Sequence, residues 1–342
     1  MELDFGTYDL HAPLPAMYLA RQQWEAPRLE DVAGEVQRQL ADSGLLSKLR
    51  PGQQIAITAG SRGISSIAVV LRAVVDAVRA TGAAPFLVPA MGSHGGGTAP
   101  GQVALLAELG VTEASMAAPI RATMDVVPLG RLPDGPDLFM DAYAAAADGI
   151  IVVNRIKPHS DFHGPIESGL SKMTVIGLGK RHGADAIHRY GAPGLRTLLA
   201  PAAQAIAAAR PILAGVGIVE NGQGGVAEIA VLPPAAFGGA EETRLLADAR
   251  RLLPGLPFDD LDVLVIDQIG KNFSGAGMDT TVIGRILVPG QEENPRPRIT
   301  AIVALDVSPE SHGNAAGLGM ADVTTRRLVG KMDFHAFYLN GI

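Results

Sequence analysis

The chain has 342 residues, more than one hydrophobic core usually serves, so two domains are expected. Its formal charge of −7, with no basic run, argues against nucleic acid or an anionic membrane surface as a partner. The lack of cysteine excludes disulfides, thiolate catalysis and cysteine-based metal sites, so any metal here must use His, carboxylate or a sulfur from outside the protein.

Short apolar runs alternate with helical periods through the first 240 residues. Buried strands are predicted at 53–59, 84–89, 148–154 and 215–220, and helices at 64–80, 98–109 and about 195–210. Thr98 is the expected N-cap of the second helix, and Pro100 lies in its first turn. A strand, a helix and another strand in this order imply parallel strands joined by a right-handed crossover.

A Pro-Pro pair and a Gly-Gly pair between 233 and 239 break this pattern and mark the expected connection between domains. We therefore predict an α/β fold with a Rossmann-like N-terminal domain over 1–240, built on a mostly parallel sheet, and a smaller C-terminal α/β domain over 241–342. The second domain is expected to hold one charged helix and two strands, at 241–253, 261–267 and 299–306. Its apolar last residues, without a capped helix, suggest that the natural protein continues further.

Side chains able to carry chemistry follow the predicted strands. Arg62 comes after the first strand, His94 lies in a Gly-rich loop after the second, and His159 comes after the third. Gln268 and Lys271 form a Q-x-x-K pair after the first strand of the C-terminal domain. Open α/β sheets build their active sites at the carboxyl ends of strands, so this placement indicates an enzyme.

Each of these residues also has an ordinary structural interpretation. His94 and His159 can be loop residues that cap a turn, and Arg62, Gln268 and Lys271 can be solvated surface groups. The pair of histidines favours a function, because two strand-end imidazoles can flank a ligand from opposite sides. Acid–base groups on both faces of one carbon are what a racemase or epimerase requires. An amide beside an ammonium suits a carboxylate, and Arg62 suits a phosphate or a second carboxylate.

A glycine-rich stretch over 164–180 holds a third group of candidates. Lys172 lies within it, and His182 and His188 follow. The stretch matches neither G-x-G-x-x-G nor a P-loop, so it is a weak signal for nucleotide binding. Lys172 is either a solvated cation or a desolvated, nucleophilic amine, and the two histidines are either ordinary helix-surface residues or part of a site.

Taken together, these motifs resemble the nickel-pincer lactate racemase family from about residue 50 to 335. His94 in its Ser-His-Gly loop, and His159 directly after Pro158, match the two histidines of that family. Lys172 and His188 reproduce the 16-residue interval between the family's cofactor-anchoring lysine and its nickel-ligating histidine. The Q-x-x-K pair has a counterpart there as well.

The resemblance implies a racemase or epimerase of a 2-hydroxy acid that uses a nickel-pincer nucleotide, a sulfur-bearing pyridinium mononucleotide that holds nickel. The cofactor would accept the α-hydrogen as hydride while His94 and His159 alternate as base and acid. His188 would be the protein ligand to nickel, with His182 as the alternative. The side chains implied in binding are Lys172, Ser61 and Arg62 for the cofactor and Arg62, Gln268 and Lys271 for the substrate.

The chain departs from the family in three places. The family's Asp-x-x-Arg appears here with Ala59 in place of the Asp, the interval from His159 to Lys172 is a few residues longer, and the late Trp is missing, since Trp24 is the only Trp. Other functions therefore stay open: an NAD-type oxidoreductase, a non-catalytic nucleotide- or metal-binding homologue, and a lyase or epimerase acting on a sugar acid. The missing G-x-G-x-x-G counts against the first of these.

The expected setting follows from the ends of the chain and its apolar segments. The first residues lack the basic and apolar regions of a secretory signal, and the Ala-rich segment near 200–209 is too short to span a bilayer. We expect a cytoplasmic protein that acts on a small molecule and binds neither nucleic acid nor membrane. The sequence does not fix the oligomeric state and is compatible with a homo-oligomer.

Overall fold

The computed structural model describes residues 16–61 and 63–338. Its strands are β1 Gln54–Ala59, β2 Ala84–Pro89, β3 Val126–Arg131, β4 Asp137–Asp141, β5 Gly149–Arg155, β6 Ile212–Glu220, β7 Val226–Leu232, β8 Asp260–Ile266, β9 Arg298–Ala304 and β10 Val323–Thr324. Its α-helices are α1 Val32–Asp42, α2 Ile67–Ala80, α3 Ala99–Glu108, α4 Glu113–Met116, α5 Ala142–Ala145, α6 Leu170–Lys172, α7 Lys180–His188, α8 Gly191–Ala209, α9 Ala240–Leu252, α10 Thr280–Ile283, α11 Arg326–Lys331 and α12 Phe334–Tyr338. A π-helix over Met173–Gly177 separates α6 from α7.

The larger sheet has five strands in the order β2-β1-β5-β6-β7. Strands β1, β2, β5 and β6 run parallel, whereas β7 is antiparallel to β6 and ends the sheet on that side. A separate sheet with the order β10-β9-β8 is parallel throughout, and β3 and β4 form an antiparallel pair. The prediction of an α/β fold built on a mostly parallel sheet is confirmed.

Local signals set where the helices begin. Ser66 has φ 57° and ψ 24°, in the left-handed region, so α2 begins at Ile67 and not at the predicted residue 64. Thr98 caps α3 as predicted, because its Oγ1 accepts the backbone N–H of Gly101 at 3.1 Å.

The larger sheet is apolar on both faces, as expected of parallel strands covered by helices on each side. Successive residues of one strand enter different hydrophobic clusters, because side chains alternate across a strand. In β5, Ile150 and Val152 belong to one cluster, whereas Ile151 and Val153 belong to the other. The strands that carry the candidate histidines are therefore held rigidly from both sides.

A third hydrophobic cluster lies in the C-terminal part, around Ile302 and Ala304 of β9. Helix α9 packs against the larger sheet, although the predicted boundary at residue 240 assigns it to the C-terminal domain. Its buried residues join the first cluster of the larger sheet: Leu245, Leu246, Ala249 and Leu252. The division at residue 240 stays a prediction. Among the helices of the described residues, none combines the length and apolar character needed to cross a membrane.

Candidate active site at the carboxyl edge of the sheet

The strand order reverses beside β1. The chain passes from β1 to β2 on one side and later returns to β5 on the other, so β1 and β5 flank a topological switch point. In open α/β sheets, ligands bind in the crevice at such a point, outside the carboxyl ends of the strands. Ser61 follows β1, His94 follows β2 and His159 follows β5. Arg62 lies outside the described residues, and its predicted roles stay predictions.

The loops after β1 and β2 meet through Ser61 and His94. The Oγ of Ser61 and the Nδ1 of His94 share a hydrogen bond of 2.5 Å. His94 is exposed at the surface, and this hydrogen bond holds its ring through Nδ1. The structure thus brings together two of the residues predicted from the sequence.

Glycines allow the His94 loop to pack closely against α3. Gly95 has φ 67°, and a Cβ placed on it would lie 2.6 Å from the backbone N of Gln102. Buried Gln102 holds the loop from within, since its Nε2 donates to the carbonyls of Gly92 at 3.1 Å and His94 at 3.2 Å. Gln102 therefore holds the loop that carries the imidazole through backbone carbonyls of the loop.

The imidazole of His159 is oriented by its own loop. Its Nδ1 accepts the backbone N–H of Asp161 at 3.1 Å, which places the proton of the neutral ring on Nε2. Its ring packs on Phe162, with centroids 4.6 Å apart, and only 17% of the side chain is exposed. These contacts fix the orientation of the imidazole beside the end of β5.

A buried carboxylate, which sequence reasoning missed, holds the loop after β5. Glu167 accepts the backbone N–H groups of His159 at 2.6 Å and Gly164 at 3.0 Å, and it contacts His163 Nδ1 at 3.2 Å and Arg250 at 2.5 Å. Burial by itself raises the pKa of Glu167, but the hydrogen bonds from His163 and His159, together with the Arg250 charge, lower the pKa below its ordinary value. Glu167 is therefore a carboxylate at neutral pH.

Lys172 lies at the junction of α6 and the π-helix, an irregularity that often marks functional sites. Its Nζ lies 5.9 Å from the centroid of Phe162, the ring that also packs against His159. The turn before it is held by buried Glu242, which accepts both the N–H and the Oγ–H of Ser171, at 2.9 and 2.6 Å. Phe162 thus links the predicted cofactor lysine to the predicted acid–base histidine.

His188 is the last residue of α7, and the charge of Lys172 acts on its imidazole. Partial burial lowers the pKa of His188, and the Lys172 ammonium lowers it further against the opposing charges of Asp185 and Asp161. A neutral imidazole is the form that ligates metals. His182, the alternative ligand, instead packs its ring against Phe139, with centroids 5.7 Å apart.

Gln268 and Lys271 lie in the C-terminal part. Exposed Gln268 lines an open cavity of about 550 Å³ whose other lining residues all come from that part: Ile266, Asp267, Phe273, Asp306 and Arg327. Lys271 donates from Nζ to the carbonyl of Gly275 at 2.6 Å. Neither His94 nor His159 lines this cavity, so the cavity does not place Gln268 beside either histidine.

The C-terminal part nevertheless contacts the loop that carries His159. Thr280 donates from Oγ1 to the carbonyl of Ser160 at 2.7 Å, and Gln291 accepts the backbone N–H of His163 at 3.3 Å. Both contacts lie within four residues of the catalytic candidate. The C-terminal part thus contributes to the surroundings of the candidate site.

Polar residues at the ends of β5 and β6 tie these loops together. Glu220 pairs with Arg155 and also accepts the backbone N–H of Ser65, in the loop after β1. Asn154 donates from Nδ2 to the carbonyl of Gly169 at 2.8 Å. The sequence does carry a signal for these anchors, because each polar side chain ends an otherwise apolar strand.

Among residues 16–61 and 63–338, no group of three or more His, Asp or Glu side chains is arranged to hold a metal ion. The predicted nickel site uses His188 as its single protein ligand. A scan against models of known protein families finds no match to this chain, and a search of curated proteins finds no relative.

Proposed function

We propose that this chain is a racemase or epimerase of a 2-hydroxy acid that works with a nickel-pincer nucleotide. The observation that carries the proposal is the arrangement at the switch point of the sheet. His94 and His159 leave the strands on either side of β1, and Phe162 lies against both His159 and Lys172. The candidate acid–base groups and the cationic anchor therefore lie in segments that follow strands at the carboxyl edge of one sheet.

The donor set suits the cofactor. His188 offers a neutral imidazole, which is an appropriate nickel ligand, while the remaining ligands come from the cofactor itself, consistent with a chain that has no cysteine. The Lys172 ammonium complements an anionic group of the nucleotide, and Ser61 lies at the end of β1, where backbone and hydroxyl groups can bind it. When bound, the cofactor supplies an acceptor for hydride.

The two histidines move the hydroxyl proton. As the α-hydrogen of the substrate leaves with its electron pair, one imidazole takes the proton of the hydroxyl group, and the product of this step is a planar 2-keto acid. The planar keto acid must then present its other face, where the second imidazole, protonated at the start, would give its proton to the carbonyl oxygen as hydride returns to carbon, giving the other enantiomer. Removing hydride rather than a proton from carbon avoids placing a carbanion beside the carboxylate.

Rapid mixing of holo-protein with each pure enantiomer, following cofactor reduction, tests the proposal. His94→Gln should slow hydride transfer from one enantiomer far more than from the other, and His159→Gln should show the reverse preference. We expect the more affected rate to fall about 10²–10⁴-fold, as is typical of a positioned acid–base group. His335→Gln, which alters an exposed histidine of α12, is the matched control and should leave both rates nearly unchanged.

Two results would count against the proposal. Equal loss for both enantiomers in both variants would contradict the assignment of one histidine to each face. Absence of cofactor reduction by every 2-hydroxy acid offered to the wild-type holo-protein would overturn the function.

A further inference from the structure

Lys180 is a charged side chain without any solvent exposure. It begins α7 with φ 53°, in the left-handed region that non-glycine residues rarely adopt. Its nearest charge, Asp141 at the end of β4, is also fully buried, and Nζ lies 3.1 Å from Oδ2. The proposed chemistry has not used this pair.

The Lys180 ammonium is the centre of a polar network that leads to the His94 loop. Its Nζ donates to the carbonyl of Pro89, the last residue of β2, and to Oε1 of Gln102 at 3.1 Å. The other end of the same Gln102 amide donates to the carbonyls of Gly92 and His94. One ammonium therefore fixes both the strand end and the amide that clamps the loop.

Stability alone does not account for such a pair. Removing two charges from water carries a desolvation penalty, and replacing a buried ion pair with apolar residues of similar volume is often neutral or stabilising. Burial raises the pKa of Asp141 and lowers the pKa of Lys180, while each partner opposes the shift of the other. Burial of the Lys180–Asp141 pair costs free energy, and its hydrogen bonds are specific in geometry. Such a network is suited to holding the His94 loop in one conformation.

We propose that Lys180 is a positioning residue for His94, acting through Gln102 to hold the loop that presents the imidazole to the substrate. The inference rests on the proposed function for its catalytic consequence. The loop it fixes contains Gly95, Gly96 and Gly97, all with positive φ, and glycine backbone is the most easily rearranged when an anchor is lost. A displacement of about 1 Å at a reacting group can cost about 10²-fold in rate.

Two variants test the inference by different routes. Lys180→Met with Asp141→Asn removes both charges at once and keeps an acceptor at residue 141 for the backbone N–H of Ala144. Gln102→Leu leaves the Lys180–Asp141 pair in place and removes only the link to the loop. Gln102→Leu thus shows the effect of losing the clamp alone, and if the double variant fails to fold, Lys180→Gln with Asp141→Asn, which keeps polar groups at both positions, takes its place.

Hydrogen exchange of the purified chain gives a readout that does not depend on activity. We expect exchange to rise over residues 92–97 in both variants, while the helices and strands of the larger sheet keep their protection. Unchanged exchange of this loop in the folded variants would overturn the inference.

Hydride transfer from the two enantiomers in the holo-protein gives the catalytic readout. Both variants should slow transfer by about 10²-fold for the enantiomer that is most sensitive to His94→Gln, with a much smaller effect on the other. Equal slowing of both enantiomers would indicate a merely structural role and overturn the inference. If the wild-type protein transfers no hydride at all, the proposed function fails, whereas the exchange of residues 92–97 still decides whether Lys180 holds the loop.

Discussion

Ser61 and His94, 33 residues apart in the chain, lie within 2.5 Å of each other through Oγ and Nδ1. The two residues belong to loops that leave neighbouring parallel strands, β1 and β2. Because the hydroxyl engages Nδ1, it restricts rotation of the His94 ring. The contact therefore orients the imidazole as well as connecting the loops.

Replacing Ser61 with Ala should lower kcat by about fivefold, since one orienting hydrogen bond contributes about 1 kcal/mol. Steady-state kinetics of holo-protein with equal cofactor content would measure the change. Ser93→Ala, at the exposed position next to His94, is the control and should keep kcat within about twofold of wild type. A kcat that is unchanged in Ser61→Ala would show that the hydroxyl does not orient the ring.

Nickel content should distinguish His188 from His182. We expect His188→Ala to lose most bound nickel, because it removes the protein ligand of the proposed nickel site, whereas His182→Ala should retain it. Metal analysis of the two proteins, produced together with cofactor-synthesis enzymes, is the measurement. Retention in His188→Ala with loss in His182→Ala would reverse the assignment.

Glu167→Gln should destabilise the fold by about 1–3 kcal/mol at pH 7, because the backbone N–H groups of His159 and Gly164 and the Arg250 charge lose a buried carboxylate. The difference in unfolding free energy between wild type and Glu167→Gln depends on pH. Since folding lowers the pKa of Glu167 from 4.5, its contribution is fully present above pH 4.5 and is lost as pH falls through the lower folded-state pKa.

Urea unfolding at several pH values would follow this dependence. The difference between wild type and Glu167→Gln should shrink as pH falls below 4.5. Glu25→Gln is the control: its side chain is 84% exposed and pairs with Arg251 at the surface, so its effect should stay within about 0.5 kcal/mol. A gap between wild type and Glu167→Gln that stays constant down to strongly acidic pH would contradict this role of the carboxylate.

Gln268→Ala should raise KM for the 2-hydroxy acid by about tenfold with little change in kcat, as expected when a hydrogen bond to a substrate carboxylate is lost equally from the ground and transition states. Initial rates over a range of substrate concentrations would show it. Gln37→Ala, on the exposed surface of α1, should change neither constant. A fall in kcat without a change in KM would assign Gln268 to the chemical step instead.

The sequence predicts the central strands well because their signals are local. The strands β1, β2 and β5 are apolar runs bounded by Gly or Pro, and the structure places each within one or two residues of its predicted ends. The sequence does not predict the β3–β4 pair, since Pro128 and Gly130 interrupt β3 and none of its residues is buried. Pro128 is tolerated there because a two-stranded ribbon leaves one edge without ladder hydrogen bonds.

The candidate site is predictable in part for the same reason. A side chain that follows a predicted strand can be placed at the carboxyl edge of the sheet from the sequence alone, as His94 and His159 are. The residues that hold them cannot, because their partners are distant in the chain: Glu242 binds Ser171 across 71 residues, and Lys180 binds Gln102 across 78. From the sequence alone, a charged residue such as Lys180 is predicted to lie on the surface, because its buried partner cannot be identified.

Within the loops at the candidate site, Glu167 and Glu242 bind mainly backbone N–H groups. The side chains that they contact there are the Ser171 hydroxyl and the His163 ring. The course of these loops is therefore set largely independently of which side chains they present. A scaffold of this kind is expected to tolerate exchange of the side chains that these loops present without loss of the fold. The same property makes the crevice a practical starting point for redesigning specificity.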